Sequence, residues 1–251
     1  MSRAGGLRLA VSWLTVLPIT VGGTVDVDAG RRALLWAPAV GLALGGLAAG
    51  ALALLGLAGA HPVLAGVLVV ALLAAVTRGM HLDGLADTAD GLGCYGGPQR
   101  ALEVMRDGSA GPFAVVVLVL TLGAQAGALA GLVIAERWWA VVIAVTAGRV
   151  ALGWCARRGV PPARPDGLGA LVAGTQPLAA PVTGASALAA AGLVAVAGRP
   201  WQGVLAVLLA AGAVGWLSGH TARRFGGVTG DVCGAASEVA VTVVLVMCAL
   251  G

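Results

Sequence analysis

The sequence has no lysine: all fifteen of its basic residues are arginine. This absence excludes a Walker A phosphate loop, whose signature contains a lysine, and it excludes Schiff-base chemistry. Charged residues of both signs make up only 10% of the chain, whereas an ordinary soluble domain has about a quarter. The net charge of +4 comes from arginines spread along the chain without a basic stripe, so nucleic acid is not indicated as a partner.

Cysteine is also scarce, and its four positions lie far apart in the sequence: Cys94, Cys155, Cys233 and Cys248. No C-x-x-C pair is present, so neither a zinc site nor an iron–sulfur site is indicated.

Apolar residues dominate instead. They make up 59% of the chain, and the mean hydropathy is +0.97. We therefore expect an all-α, polytopic membrane protein with one membrane domain over residues 1–251 and lipid as its surroundings. Apolar runs bounded by charge predict about seven transmembrane helices, near 33–60, 62–78, 113–135, 138–156, 178–198, 203–222 and 235–251.

A weaker apolar stretch, residues 7–21, is interrupted by Pro18. We interpret it as a short membrane-embedded or re-entrant segment. A signal peptide is the alternative, but no small-residue cleavage site follows the stretch.

The arginines predict the orientation. If the seven spans alternate, ten arginines lie on one side and only Arg137 and Arg199 on the other. Positive charge favours the cytoplasmic side, so the loops 79–112 and 223–235 are both expected in the cytoplasm. A bacterial inner membrane is the expected location.

The run 78–91 carries the strongest chemical signal, because it places three aspartates and a histidine at the end of an apolar span. Asp83, Asp87 and Asp90 are spaced i, i+4 and i+7, which puts them within an arc of roughly 60° on a helix. Clustered carboxylates near lipid call for a cation, and oxygen ligands favour Mg²⁺. His81 suits a general base or an orienting group better than a magnesium ligand. Turns at the two Asp-Gly pairs are the structural alternative.

Two further segments carry polar groups on the same predicted face. In 103–113, Arg106 and Asp107 precede small residues that open a span, as at an anion-binding helix N-terminus. In 223–238, glycines allow close backbone approach to a phosphate, and Asp231 and Glu238 share a helix face.

Arg149, inside a predicted span, needs a carboxylate or phosphate partner, or must snorkel to the interface. Taken together, two acidic clusters, several arginines and glycine-rich turns on one face indicate a metal-assisted phosphoryl-type reaction.

The runs 81–91 (HLDGLADTADG) and 226–231 (GGVTGD) resemble the two signatures of the adenosylcobinamide-GDP ribazoletransferase (cobalamin synthase) family. Residues 13–18 and 105–107 resemble two shorter segments of that family. The resemblance implies an integral membrane enzyme of cobalamin (vitamin B12) biosynthesis that uses Mg²⁺. It would join α-ribazole, or its 5′-phosphate, to adenosylcobinamide-GDP, releasing GMP and forming adenosylcobalamin or its 5′-phosphate.

The resemblance also suggests roles for individual residues. The expected metal ligands are Asp83, Asp87, Asp90 and Asp231. His81 is the candidate base, with Asp107 as the competitor. The expected phosphate-binding residues are Arg78, Arg106, Arg224, Gly227 and Gly230. The chain departs from the family at Gly108–Gly111, where the family's usual arginine is missing.

Other classes fit some of these features. CDP-alcohol phosphotransferases and intramembrane prenyltransferases also pair aspartate clusters with Mg²⁺, and a cation transporter would line a path with carboxylates. The sequence leaves open the number of metal ions and whether the chain forms a homo-oligomer.

Overall fold

A computed structural model describes residues 3–20, 22 and 24–251 of the chain. The described residues form α-helices and no β-strand; the extended contacts among them are two isolated bridges. The helices are α1 (Arg3–Leu14), α2 (Val27–Leu57), α3 (Pro62–Val76), α4 (Met80–Gly93), α5 (Pro98–Val104), α6 (Pro112–Ile134), α7 (Trp138–Cys155), α8 (Gly167–Val172), α9 (Ala179–Gly192), α10 (Pro200–Phe225) and α11 (Gly230–Ala249). The all-α prediction is confirmed.

Five of the described helices are long and apolar enough to cross a membrane: α2, α6, α7, α10 and α11. A sixth span results if α3 and α4, which meet at an angle of 92°, are counted as one broken span. The expected count of seven is not confirmed. The predicted span 178–198 contains only the 14-residue helix α9, because the chain turns after Gly192.

The N-terminal segment begins as a helix that packs on the start of α2. In α1, Leu9, Ala10 and Leu14 are buried. After α1 the chain docks on the end of α3, where the backbone N–H of Val16 donates to the carbonyl of Val76. The predicted stretch 7–21 is therefore only partly helical, and Val21 lies outside the described residues.

Helices α2, α7 and α11 approach closely at the centre of the bundle because small residues stand at their crossings. A Cβ on Gly45 would lie 2.8 Å from the carbonyl oxygen of Val142, and one on Gly148 would lie 2.7 Å from Ser237 Oγ. Glycine at these points lets backbones meet, which is the common solution for helix packing in lipid.

Long-range hydrogen bonds define the two ends of the bundle. At one end, Arg137 donates to the carbonyl of Cys248, and Gln202 donates to that of Met247. At the other end, the loops 77–111, 156–178 and 226–229 come together: Ala163 N donates to the Val228 carbonyl, and Arg164 donates to the Leu102 carbonyl. The predicted grouping of 79–112 with 223–235 at one end is thus confirmed.

Candidate active site

The acidic helix α4 begins at a sharp bend after α3. Arg78 and Gly79 both adopt left-handed backbone conformations, with φ of 55° and 64°. The Gly79 N–H donates to the carbonyl of Ala74, which closes the end of α3. Because of the 92° bend, α4 runs across the end of the bundle rather than onward through it, and we do not count it as membrane-spanning.

Helices α4 and α11 cross with their backbones almost in contact. A Cβ on Gly84 would lie 2.7 Å from the carbonyl oxygen of Asp231 and 2.9 Å from its Cα. On the facing helix, a Cβ on Gly234 would lie 3.2 Å from the Cα of His81. This crossing brings Asp231, in the first turn of α11, beside the acidic face of α4.

Three carboxylates form the acid cluster: Asp83, Asp87 and Asp231. Asp83 is exposed, while Asp87 and Asp231 are half-buried. Burial, then the charges of Asp231 and Asp83, raise the pKa of Asp87 to about 6, although the guanidinium of Arg164 acts in the opposite direction. The predicted convergence of acidic groups from two separate sequence regions is thus present, and their mutual repulsion favours a bound cation.

Asp90 has a different environment from the other aspartates of α4. Its carboxylate is buried and accepts two backbone hydrogen bonds at the start of α6, from Gly111 N at 2.7 Å and from Ala114 N at 3.0 Å. Asp90 therefore caps α6, which accounts for its burial without a metal ion. Its predicted role as a metal ligand stays a prediction.

His81 does not lie with the acid cluster. It is two residues before Asp83, so its side chain leaves α4 about 200° away, on the face that packs against Gly234 of α11. It is 3% exposed, and its Nδ1 has no hydrogen-bond partner among the described residues. Burial, then the charge of Arg149, lowers the pKa of His81 well below its ordinary value. The structure therefore does not bring this candidate base to the carboxylates.

Asp107, the competing candidate, lies in the loop between α5 and α6. Its Oδ2 accepts a hydrogen bond of 2.8 Å from Ser109 Oγ. It lines a cavity of about 420 Å³ that Asp90 also lines.

The arginine nearest the acid cluster is one that sequence reasoning did not select. Arg164 Nη1 lies 3.6 Å from Asp231 Oδ2, and its Nη2 donates to the carbonyl of Leu102. The loop that carries it is tied to the α10–α11 turn by a parallel bridge between Pro162 and Val228. In the sequence, the only signal for Arg164 was its predicted position on the same face as the acidic segments.

The three predicted phosphate-binding arginines have protein partners instead. Arg106 pairs with Asp166 at 2.6 Å on the surface. Arg224 donates to the carbonyl of Cys94, at the end of α4. Arg78 donates to the carbonyl of Ser12, at the end of α1. Each contact fixes an element around the site, and a phosphate contact by these side chains stays a prediction.

The two predicted phosphate-binding glycines differ in how closely other parts of the chain approach them. A Cβ on Gly227 would lie 2.5 Å from the carbonyl oxygen of Pro161, so the absence of a side chain there is explained by the approach of the 161–163 loop. Gly230 is in ordinary contact with Leu168, 3.5 Å from its Cβ.

Within residues 3–20, 22 and 24–251, no group of three or more His, Cys, Asp or Glu side chains is arranged to hold a metal ion by itself. A metal ion at the acid cluster therefore stays a prediction.

A second polar centre lies inside the bundle. Arg149 on α7 and Glu238 on α11 line a cavity of about 20 Å³, which has room for roughly one water molecule. Gln125 Nε2 donates to Glu238 Oε2 at 2.8 Å. Arg149 is 4% exposed, and its Nε has no partner among the described residues. Glu238 is thus the carboxylate that shares this cavity with Arg149, which is one of the alternatives that the sequence left open for this arginine.

Comparison with known proteins identifies relatives along nearly the whole chain. A protein from Nocardioides sp. is 41% identical over 238 residues, covering 95% of each chain. One from Corynebacterium efficiens is 39% identical over 254 residues (98% of this chain, 91% of the relative), and one from Stutzerimonas stutzeri is 42% identical over 255 residues (97% of each). All three are named adenosylcobinamide-GDP ribazoletransferase.

No solved structure matches the chain significantly. The family model described as Cobalamin-5-phosphate synthase matches residues 6–249, and on this match the chain belongs to the cobalamin-5-phosphate synthase family.

Proposed function

We propose that the chain joins α-ribazole, or its 5′-phosphate, to adenosylcobinamide-GDP, with release of GMP, in a Mg²⁺-dependent phosphoryl transfer. Family membership makes it a transferase of cobalamin biosynthesis, and the names of its relatives supply the two substrates. The observation that carries the chemistry is the convergence of Asp87 and Asp231 from two distant helices.

The donor set fits magnesium. Mg²⁺ keeps several waters and is commonly bound by one or two carboxylates together with substrate phosphates. Asp87 and Asp231, with Asp83 at the exposed edge, would hold it together with phosphate oxygens of the substrate. When bound, the ion would supply neutralisation of the charge on the diphosphate.

The protein's own groups contribute positive charge and position. Arg164 lies beside Asp231, and its Nη2 is held by the Leu102 carbonyl, so its guanidinium is placed to neutralise a substrate phosphate at the cluster. The approach of α4 and α11 at Gly84 sets the separation of the carboxylates. His81, on the far side of α4, would act on this arrangement only through packing.

We place the acid cluster on the cytoplasmic side of a bacterial inner membrane. Twelve arginines flank the predicted spans outside the N-terminal stretch, and ten of them belong to the end of the bundle that carries the cluster, as positive charge does on the cytoplasmic side. Large, soluble, charged substrates would then reach the site from the cytoplasm.

The test uses membranes that contain the full chain, supplied with adenosylcobinamide-GDP, α-ribazole and Mg²⁺. We expect a completed cobamide and an equal amount of GMP from the wild type, and neither from Asp87→Asn. Asp28→Asn is the matched control, because Asp28 is an exposed carboxylate paired with Arg31 on α2. It should keep full activity.

Near-normal turnover by Asp87→Asn would remove the metal assignment. Absence of product from the wild type would refute the reaction itself. Release of CMP or pyrophosphate from other substrates, or uptake of Mg²⁺ into proteoliposomes without chemistry, would favour the rival classes.

A further inference from the structure

A polar cavity of about 420 Å³ opens between the end of α4, helix α5 and the start of α6. Its volume falls in the range of roughly 300–1,000 Å³ that is typical of small-molecule sites. Asp90 in its wall stands three residues after Asp87 on the same helix, so the cavity begins about one helical turn from the acid cluster. A ligand could therefore place a phosphate at the cluster and another part in the cavity.

An aromatic ring forms one wall of this cavity. Phe113 packs directly on the backbone of Gly93, because a Cβ on Gly93 would overlap the Phe113 ring. The side chain nevertheless remains 53% exposed. A ring held in this way offers a stacking surface for a planar base.

A planar base also needs hydrogen-bond partners at its edge, and Asp107 can supply one. Its carboxylate lines the cavity, and the Ser109 hydroxyl holds one of its oxygens. An ionised carboxylate only accepts hydrogen bonds. Guanine presents two adjacent N–H donors, at N1 and at the 2-amino group, whereas adenine presents an acceptor at N1.

We infer that this cavity holds the guanine base of the adenosylcobinamide-GDP substrate, with the Asp107 carboxylate as the group that selects guanine and Phe113 as its stacking wall. The inference rests on the proposed function and adds the recognition of the leaving nucleotide. The benzimidazole base of α-ribazole is a poorer fit, since it has no pair of N–H donors to offset the desolvation of Asp107.

The test compares adenosylcobinamide-GDP with its xanthine analogue, in which a carbonyl replaces the 2-amino group. The wild type should prefer guanine. In Asp107→Asn the side-chain amide donates where the carboxylate accepted, so kcat/KM for the guanine substrate should fall about 100-fold and the preference should reverse toward xanthine. Glu103→Gln makes the same chemical change at the rim of the cavity, where Glu103 pairs with Arg100, and should keep the preference for guanine.

Three results would overturn the inference while leaving the proposed function intact. One is an Asp107→Asn enzyme that still prefers guanine. Another is the loss of activity on both substrates in a folded protein, which would make Asp107 the base instead. The third is a reversal of preference in Glu103→Gln. Failure of the wild type with the guanine substrate would refute the proposed function instead.

A second variant keeps the inference testable if Asp107→Asn does not fold. Phe113→Leu should raise KM for adenosylcobinamide-GDP about tenfold by removing the stacking surface, and KM for α-ribazole should stay unchanged. A rise in KM for α-ribazole alone would place the ribazole base in the cavity and overturn the assignment.

Discussion

Substituting Gly84 by alanine should separate the two halves of the acid cluster. The new Cβ would stand 2.7 Å from the carbonyl oxygen of Asp231, on the backbone of α11, and ordinary contact begins at 3.4 Å. The two helices must therefore move apart by about 0.7 Å, because neither backbone can rotate away as a side chain would. Overpacking of this kind costs about 1–3 kcal/mol of stability.

The loss of activity should exceed the loss of stability. A misplacement of about 1 Å at reacting groups can cost around 100-fold in rate, so we expect a drop in kcat of about 10- to 100-fold for Gly84→Ala. Cobamide formation in membranes measures the rate, and thermal unfolding in detergent measures the stability.

Gly123→Ala is the matched control. Gly123 lies inside α6, and a Cβ there would meet nothing within 4 Å. Alanine is also the better helix former by about 1 kcal/mol, so this variant should be at least as stable as the wild type and equally active. Wild-type turnover by Gly84→Ala would refute the argument that the backbone approach of α4 and α11 sets the geometry of the site.

Three further predictions concern stability, measured by thermal unfolding in detergent. Asp90→Ala removes the hydrogen-bond acceptors at the start of α6 and should lower the free energy of unfolding by about 1–2 kcal/mol. A wild-type melting curve together with lost Mg²⁺ dependence would instead make Asp90 a metal ligand. Gly227→Ala should lower the melting temperature with KM unchanged, whereas a rise in KM at unchanged stability would support the predicted phosphate contact. Glu238→Gln leaves the buried Arg149 without a carboxylate in its cavity and should lower the free energy of unfolding by about 3 kcal/mol. Adding Arg149→Met should restore part of that loss, and strictly additive effects would show that the two groups do not interact.

The aspartates of α4 show which part of the site the sequence predicts and which part it does not. Helical spacing placed Asp83 and Asp87 on one face, and in the structure Asp231 lies beside them. The same spacing included Asp90, whose partners are the backbone N–H groups of α6. A cap of this kind depends on where a distant helix begins, which spacing within α4 cannot indicate.

Two other residues show the same limit. His81 is close to Asp83 in sequence, yet its side chain leaves the helix on another face. Its burial against α11 can be predicted only when the packing of the two helices is known. Arg164 lies in an irregular loop, where no periodicity predicts the direction of a side chain. The predicted span 178–198 was largely apolar, but composition does not show where the chain turns, and α9 ends at Gly192, which packs on the backbone of Gly203.

The shortness of α9 has a consequence for the surrounding lipid. Its 14 residues span about 21 Å, whereas the hydrocarbon core of a bilayer is about 30 Å thick. In the turn that follows, Ala195 and Val196 are buried, whereas Leu193 and Val194 are 53% and 63% exposed, so protein shields only part of its backbone. We therefore expect the bilayer to thin locally on this flank, and lipids with short acyl chains should solvate it with the least hydrophobic mismatch.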